Sequence, residues 1–330
     1  GARVYAWDDK SQASSAGHSA DSAVVTHYDE WPWKEMSALV LAPGVPLTHP
    51  GPHPVVKRAT QHHVPVIGDI EILYRSQPAA TYLGITGTNG KSTTTTLLGH
   101  ILSGGALRCE VGGNLGTAAL SLASLSADEV YVLEVSSYQL DLVHSTRFNI
   151  AVFLNITPDH LDRHGDIQGY INAKKHIFDR QHTDDVAVIA VDDEYTRRVS
   201  AELKASGAQK VFEVSNSQVL AQGVYVKDGL LHDCLPLPGK PTQPFSLLPI
   251  ASLTGAHNWQ NAAAAYAAAR AAGLSPDRIM QSMQSFPGLR HRLQRVDSIR
   301  GVTFINDSKA TNADAVQHAL KPYPTIYWIA

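Results

Sequence analysis

Several things are scarce in this sequence, and each scarcity removes a class of protein. Its 330 residues hold two cysteines, Cys109 and Cys234, too few and too far apart for a disulfide framework. They read as ordinary thiols in a reducing cytoplasm. Basic residues are not in excess: 27 Lys and Arg stand against 30 Asp and Glu. With no basic tail or block, the chain lacks the electrostatic footprint of a nucleic-acid or anionic-membrane binder. Polar residues interrupt every apolar run before it could cross a bilayer, and no charged-then-apolar signal opens the chain. Internal repeats and low-complexity linkers are missing too. What remains is globular material, 44% hydrophobic and long enough for two or three domains. The expectation is a cytoplasmic protein with no nucleic-acid or membrane partner.

Up to residue 71, the runs VYAW, ALVLAPGV and VPVIGDI alternate with His- and Pro-rich spacers, which predicts a small α/β domain of parallel strands. Ala42-Pro43-Gly44 follows SALVL as a turn, where Gly44 lets a ligand approach the backbone closely. From residue 80 to 289 the strands TYLGIT, EVYVLEV, FNIAVFLNI and DVAVIAV alternate with helices, one of them containing GYINAKKHIFDR. VLAQGVYVKDGLLHDCLPLPG predicts a β-hairpin turning at Asp228-Gly229, a small antiparallel annex. NWQNAAAAYAAARAAG, opening on Asn258 and closing on glycine, predicts a helix. A third region starts near Arg290 with the strand GVTFIN and a helix over 312–320. GARVYAWDD and PTIYWIA, at the two ends, read as strands without the flanking helices that parallel strands require. That predicts the middle part of a longer protein.

The chemistry begins at GITGTNGKST. A strand, a glycine-bearing turn with Lys91 and Ser92, and a following helix are the parts of a phosphate-binding loop. Backbone N–H groups and the helix N-terminus hold phosphates, the lysine neutralises charge and the hydroxyl reaches Mg²⁺. The spacing departs from the common form, because Ile85 stands where the first glycine is expected, flanked by Gly84 and Gly87. A surface turn with an incidental lysine is the alternative. Nucleotide triphosphate is the leading ligand.

Other polar islands lie on or after apolar strands. Glu134 closes EVYVLEV at its carboxyl end, where open α/β sheets place ligands, although a strand-end carboxylate facing water would look the same. Asp159, His160, Asp162, Arg163 and His164 follow FNIAVFLNI directly. Glu134 and Ser92 are natural Mg²⁺ ligands, and His160 less so. Lys174 and Lys175 sit together in a helix whose apolar pattern does not choose which one faces inward; either alone is most often a snorkelling surface lysine. Asn258 suits an N-cap. The clusters around Arg290, Arg292 and 305–312 suit phosphate, carboxylate or ribose contacts from Arg292, Asp307 and Lys309, with a helix N-cap at Thr311 or Asn312 as a compatible alternative.

Taken jointly, GTNGKST (87–93), LEVSSYQL (133–140), NITPDHLDRH (155–164) and GAHNWQNAAAA (255–265) resemble the ATP-dependent Mur ligases of bacterial cell-wall synthesis. GDIE (68–71) with NDSKATN (306–312) narrows the resemblance to the branch that adds D-glutamate. It implies an α/β architecture in three parts: a partial Rossmann-like UDP-substrate domain over 1–71, a central P-loop ATPase-like parallel-sheet domain with its annex over 72–288, and the beginning of a Rossmann-like amino-acid domain over 289–330. It further implies that ATP is held by Gly87, Thr88, Asn89, Gly90, Lys91, Ser92 and Thr93, with Asn258, Arg292 and Asp307 on adenine, phosphate and ribose. Ser92 and Glu134 would lie near one Mg²⁺, His160 near a second, and Lys174 would carry a carbamate facing the metals. Asn114, Ser136, Gln139, Lys309 and Thr311 would belong to the substrate side, with Gly44, Asp8 and Asp9 at the UDP-facing turns, where Lys10 replaces an arginine of some relatives. The implied partners are UDP-N-acetylmuramoyl-L-alanine and D-glutamate, joined by a monomeric enzyme through an acyl phosphate. A folylpolyglutamate synthetase-like ligase and an inactive ATP-binding fragment are the alternatives.

Overall fold

The computed structural model describes residues 2–9, 23–105, 107–239, 241, 243–289, 291, 294–308, 320 and 325–329. Among them the organising feature is a nine-stranded sheet. Its order runs Phe245–Ser246, Leu230–Asp233, Val224–Lys227, Lys210–Ser215, Val186–Ala190, Ile150–Phe153, Thr81–Thr86, Val130–Glu134, Cys109–Gly113. Neighbours are parallel from Cys109–Gly113 across to Val224–Lys227.

The central strands are almost uninterrupted runs of apolar residues because both faces are covered. Successive side chains alternate between two cores. Val130, Val132, Ile150, Val152, Val186 and Val188 enter one, lined by the helices Lys91–Gly104, Ala256–Ala271 and Pro276–Gln284. Tyr131, Leu133, Ala151, Phe153, Ala187 and Ile189 enter the other, against Asp69–Ser76, Ile167–Lys175 and Glu194–Ser206. The alanines of Ala256–Ala271 allow that helix to be buried on nearly every side, with every residue from Ala262 to Ala269, Tyr266 included, inaccessible. Its N-cap is Gly255, so the capping role expected of Asn258 is not observed; Asn258 lies one turn in and donates from Nδ2 to the Thr254 carbonyl at 3.0 Å.

Asp228 and Gly229 both take positive φ, 54° and 76°, as a two-residue turn matched to strand twist requires. The hairpin they close is the expected antiparallel annex, joined to the main sheet. Val224–Lys227 lies parallel against Lys210–Ser215, so the antiparallel strands extend the main sheet.

The first region holds two short parallel pairs, Val4–Ala6 with Ala23–Val25 and Leu39–Val40 with Val66–Ile67. Trp31, Trp33, Leu39, Val55 and Ala59 form its core, and Leu142 of the central region completes it. The expected boundary between residues 71 and 72 falls inside the helix Asp69–Ser76, whose buried Glu71 is bound to residues 144–146.

In the third region GVTFIN gives the strand Val302–Asn306, paired antiparallel with Gln294–Ile299 in an exposed ribbon. Local closure through Arg300 and Gly301, both at positive φ, supplies that partner at small loop entropy. Residues 325–329 form no strand and have no ladder partner among the described residues. The helix expected over 312–320 lies, except for Leu320, outside the described residues.

Candidate active site

Three adjacent strand ends converge on the glycine loop. Thr86 closes its strand with Phe153 opposite on one side, and Ile85 faces Glu134 on the other. The loop itself is only residues 87–90 before the helix Lys91–Gly104 begins. It is therefore shorter than the common form: Gly84 and Ile85 belong to the strand, where a Cβ on Gly84 would meet the Phe148 ring at 2.6 Å. Gly90 is the N-cap at φ 85°, and a Cβ there would strike Asn261 Oδ1 at 2.2 Å. Glycine is needed for conformation and for space alike.

The loop is held from outside. Thr88 N–H donates to the Asn155 carbonyl at 2.9 Å, and Thr88 Oγ1 accepts from Thr157 N–H at 3.0 Å. Asn155 clamps both backbone polar groups of Asn89: its Oδ1 accepts from Asn89 N–H at 2.8 Å and its Nδ2 donates to Asn89 O at 3.1 Å. Lys91 Nζ donates to the carbonyls of Gly87 and Thr88 at 3.0 and 2.8 Å. Ser92 and Thr93 follow in the first helical turn, Ser92 buried.

Lys174 is the unusual group. It is 1% exposed, and its Nζ donates to the same Gly87 carbonyl at 2.9 Å, with the Tyr170 ring centroid 4.6 Å away. Burial drives its pKa well below the ordinary lysine value, and Lys91 adds to this, against opposing pulls from Asp159 and Glu134. Lys175 points outward to Glu202 at 2.5 Å. The choice that the sequence pattern left open falls on Lys174 as the inward lysine.

A magnesium ion requires oxygen donors. Glu134 fits. It is 3% exposed, Oε1 accepts from Asn114 Nδ2 at 3.0 Å, and Oε2 is buried with no hydrogen-bond partner among the described residues. Such an oxygen is costly to bury unless a cation completes it. Among the described residues no three His, Cys, Asp or Glu side chains converge to hold a metal, which suits an ion that keeps waters and takes phosphate oxygens. His160 fits less well: half-exposed at φ 53°, it lies beside Tyr138 with ring centroids 5.0 Å apart. Lys174 offers a metal nothing as an amine.

The other expected residues are dispersed. Ser136 and Gln139 form a capping box on Ser137–Leu140, and Gln139 Nε2 donates to Asp69 at 3.1 Å, so these polar atoms are engaged within the fold. Asp9 accepts from Trp7 Nε1 at 2.7 Å and pairs with His53 at 2.8 Å; these hydrogen bonds hold its carboxyl below the usual range. Asp8 stands beside it. The Gly44 carbonyl accepts from Arg163 Nη1 at 2.9 Å, tying the first region to the segment after Phe153. Asp307 follows the exposed ribbon. Lys10, Arg290, Arg292, Lys309 and Thr311 lie outside the described residues.

Two features of the site lie at residues to which the sequence assigned no role. His164 is buried, its Nε2 3.0 Å from Ser137 Oγ, and burial with the nearby Lys174 pushes its pKa down to about 4. Asn155, Gln260 and Asp192 support the loop from positions far apart in the chain.

A parallel sheet with a glycine loop at its strand ends, a helix N-terminus, a loop lysine and a buried carboxylate define a nucleotide-phosphate-binding α/β domain. Residues 85–269, more than half of the chain, match the Mur ligase middle domain. Over its whole length the chain is 46% identical to the UDP-N-acetylmuramoylalanine–D-glutamate ligase of Phenylobacterium zucineum, covering 71% of that protein. It is 48% identical to the ligase of the same name from Paramagnetospirillum magneticum, covering 70%. The chain belongs to the Mur ligase family. Solved structures show the same fold at lower identity. The UDP-N-acetylmuramoylalanyl-D-glutamyl-2,6-diaminopimelate–D-alanyl-D-alanyl ligase of Acinetobacter baumannii superimposes with a TM-score of 0.58 at 22% identity, over 76% of this chain and 56% of that one. The UDP-N-acetylmuramate–alanine ligase of Thermotoga maritima gives 0.58 at 18%, over 91% and 66%.

Proposed function

We propose that the protein joins D-glutamate to UDP-N-acetylmuramoyl-L-alanine at the expense of ATP, as a monomer in the cytoplasm, in the synthesis of a peptidoglycan precursor. The observation that carries this reading is the pair of lysines on the Gly87 carbonyl, Lys91 from the loop helix and Lys174 from a buried position. One lysine is suited to a phosphoryl group and the other, buried, to modification. Relatives matching the whole chain under that ligase name supply the substrates.

In this mechanism the N-terminus of the helix Lys91–Gly104 and the end of the loop hold the ATP phosphates, while the N–H groups of Thr88 and Asn89 stay on Asn155. The substrate carboxylate attacks the γ-phosphorus, forming a C–O–P bond as the bond to ADP breaks. Lys91 neutralises charge that builds on the transferring oxygens. The amino group of D-glutamate then attacks the acyl carbon, losing a proton, and phosphate leaves as the amide forms. Mg²⁺, held by Glu134 and Ser92 with His160 at a second position, would supply Lewis-acid stabilisation of phosphate oxygens. Lys174, neutral through burial, takes up CO₂ at its amine with loss of a proton, and the resulting carbamate gives the site a second anion opposite Glu134. Asn258 and Asp307 are assigned to adenine and ribose.

Lys91→Ala is expected to weaken binding of a non-hydrolysable ATP analogue about tenfold to a hundredfold, the worth of one charged hydrogen-bond donor. Titration calorimetry at matched ionic strength measures it. Equal affinities would remove the phosphate loop from the reading.

A further inference from the structure

The clamp on Asn89 depends on which way the Asn155 amide points, and nothing about its shape decides that. An amide presents an oxygen and an NH₂ group of almost equal size, so its orientation is set by the polarity of its partners. The Asn155 Nδ2 that donates to Asn89 O also donates to Gln260 Oε1 at 3.2 Å. Gln260 has the same ambiguity, and its Nε2 donates to Asp192 Oδ2 at 2.6 Å. The carboxylate of Asp192 can only accept. Its Oδ1 is occupied by the hydroxyls of Ser215 and Ser217, both at 2.6 Å, and Asn216 N–H approaches both oxygens at 3.3 Å. Gln260 is buried at 8% exposure and Asn155 is half-buried, so a reversed amide would leave donors facing donors.

We propose that Gln260 is a positioning residue for the phosphate loop: Asp192 fixes the polarity of the Gln260 amide, which fixes that of Asn155, which holds the Asn89 peptide in its ligand-ready orientation. Each link has one arrangement that satisfies every donor, so the relay transmits orientation without moving. It starts at the 215–217 turn, where Asn216 Nδ2 also donates to Ala256 O at 2.5 Å, at the start of the helix that carries Asn258 and Gln260. The inference deepens the proposed ATP site and rests on that reading for its consequence.

The test uses polarity exchange. Gln260→Glu sets a second carboxylate against Asp192, which breaks the first link, and the repulsion should draw the acceptor at position 260 away from Asn155 Nδ2. Asp192→Asn should be mild, because its remaining oxygen or the rotatable serine hydroxyls can adapt. The double variant Asp192→Asn, Gln260→Glu restores a donor–acceptor pair between positions 192 and 260 and again offers Asn155 an acceptor, with the net charge of wild type. Two measurements on the 330-residue chain separate the outcomes. Amide hydrogen exchange at Asn89, without nucleotide, should be at least about tenfold faster in Gln260→Glu and return to the wild-type rate in the double variant. Affinity for a non-hydrolysable ATP analogue should fall about tenfold and recover in parallel. Unchanged exchange in the single variant, or no recovery in the double, overturns the relay. Altered exchange with unchanged affinity overturns its role in positioning the loop. Failure of the wild-type chain to bind the analogue would count against the proposed function, and the exchange rates would still decide the relay.

Discussion

Lys174→Ala is expected to lower the ligation rate about a hundredfold to a thousandfold, the loss typical of removing one preorganised charged group from a reacting centre, whereas Lys175→Ala should change it little. The two neighbours differ in surroundings and not in chemistry. Lys174 is buried at 1% exposure on the Gly87 carbonyl, while Lys175 reaches a surface glutamate. A buried ammonium next to Lys91 is disfavoured, and a neutral amine can capture CO₂. Once formed, the anion gains from Lys91, and a cation held by Glu134 would relieve its repulsion with that carboxylate. Activity should therefore fall when CO₂ is removed, and fall as the pH is lowered and proton competes for the amine. Added short carboxylic acids, filling the space left in Lys174→Ala, should restore part of the rate. Full activity in Lys174→Ala, or equal losses in the two variants, would refute the assignment.

Glu71→Ala is expected to destabilise the protein by about 3–5 kcal/mol, the cost of removing one partner from a buried, hydrogen-bonded charge. The carboxylate is inaccessible and accepts from the N–H groups of His144, Ser145 and Thr146, from both hydroxyls and from Arg75 Nε. Burial alone would raise its pKa from 4.5; the hydrogen bonds from Ser145, His144 and Thr146 outweigh burial and hold it at about 2. The native pKa lies below the unfolded one, so this contribution is complete above pH 4.5 and is lost as the pH falls through about 2. Urea unfolding of wild type and Glu71→Ala at pH 7 and pH 3 measures the effect. The gap in midpoint should be wide at the higher pH and narrower at the lower. A constant gap would mean that the ionised carboxylate is not the source.

Local signals in the sequence were sufficient for some of this and not for the rest. The Asp228-Gly229 turn was legible because its positive φ angles depend on two adjacent residues. Four central strands, TYLGIT, EVYVLEV, FNIAVFLNI and DVAVIAV, were legible because burial on both faces leaves continuous apolar runs, whereas the less buried Cys109–Gly113 and Lys210–Ser215 were not. The place of the hairpin at the sheet edge depends on pairing with Lys210–Ser215, which no local pattern encodes. Gln294–Ile299 was missed as a strand because QRVDSI lies on an exposed ribbon and has no apolar face. At the site, Lys91 and Ser92 are marked by their glycines. Asn155 and Gln260 lie in stretches that carry the resemblance, but their connection to each other and to Asp192 emerges only when the fold brings together positions separated by 68 and 105 residues. Asn258 resembled a cap because asparagine is a good one, but Gly255 holds that position.

The most direct measurement is phosphate release from ATP by the complete polypeptide, with UDP-N-acetylmuramoyl-L-alanine and, in parallel, D-glutamate, L-alanine, meso-diaminopimelate or L-lysine, plus a folate substrate with L-glutamate as control. An acyl phosphate is productive only when the amine is held at reacting distance, an alignment worth about 7–11 kcal/mol of barrier. The expected result is sustained release only when the muramoyl substrate and D-glutamate are both present. Release with folate and L-glutamate but not with the muramoyl substrate, or equal release with every amino acid, would contradict it.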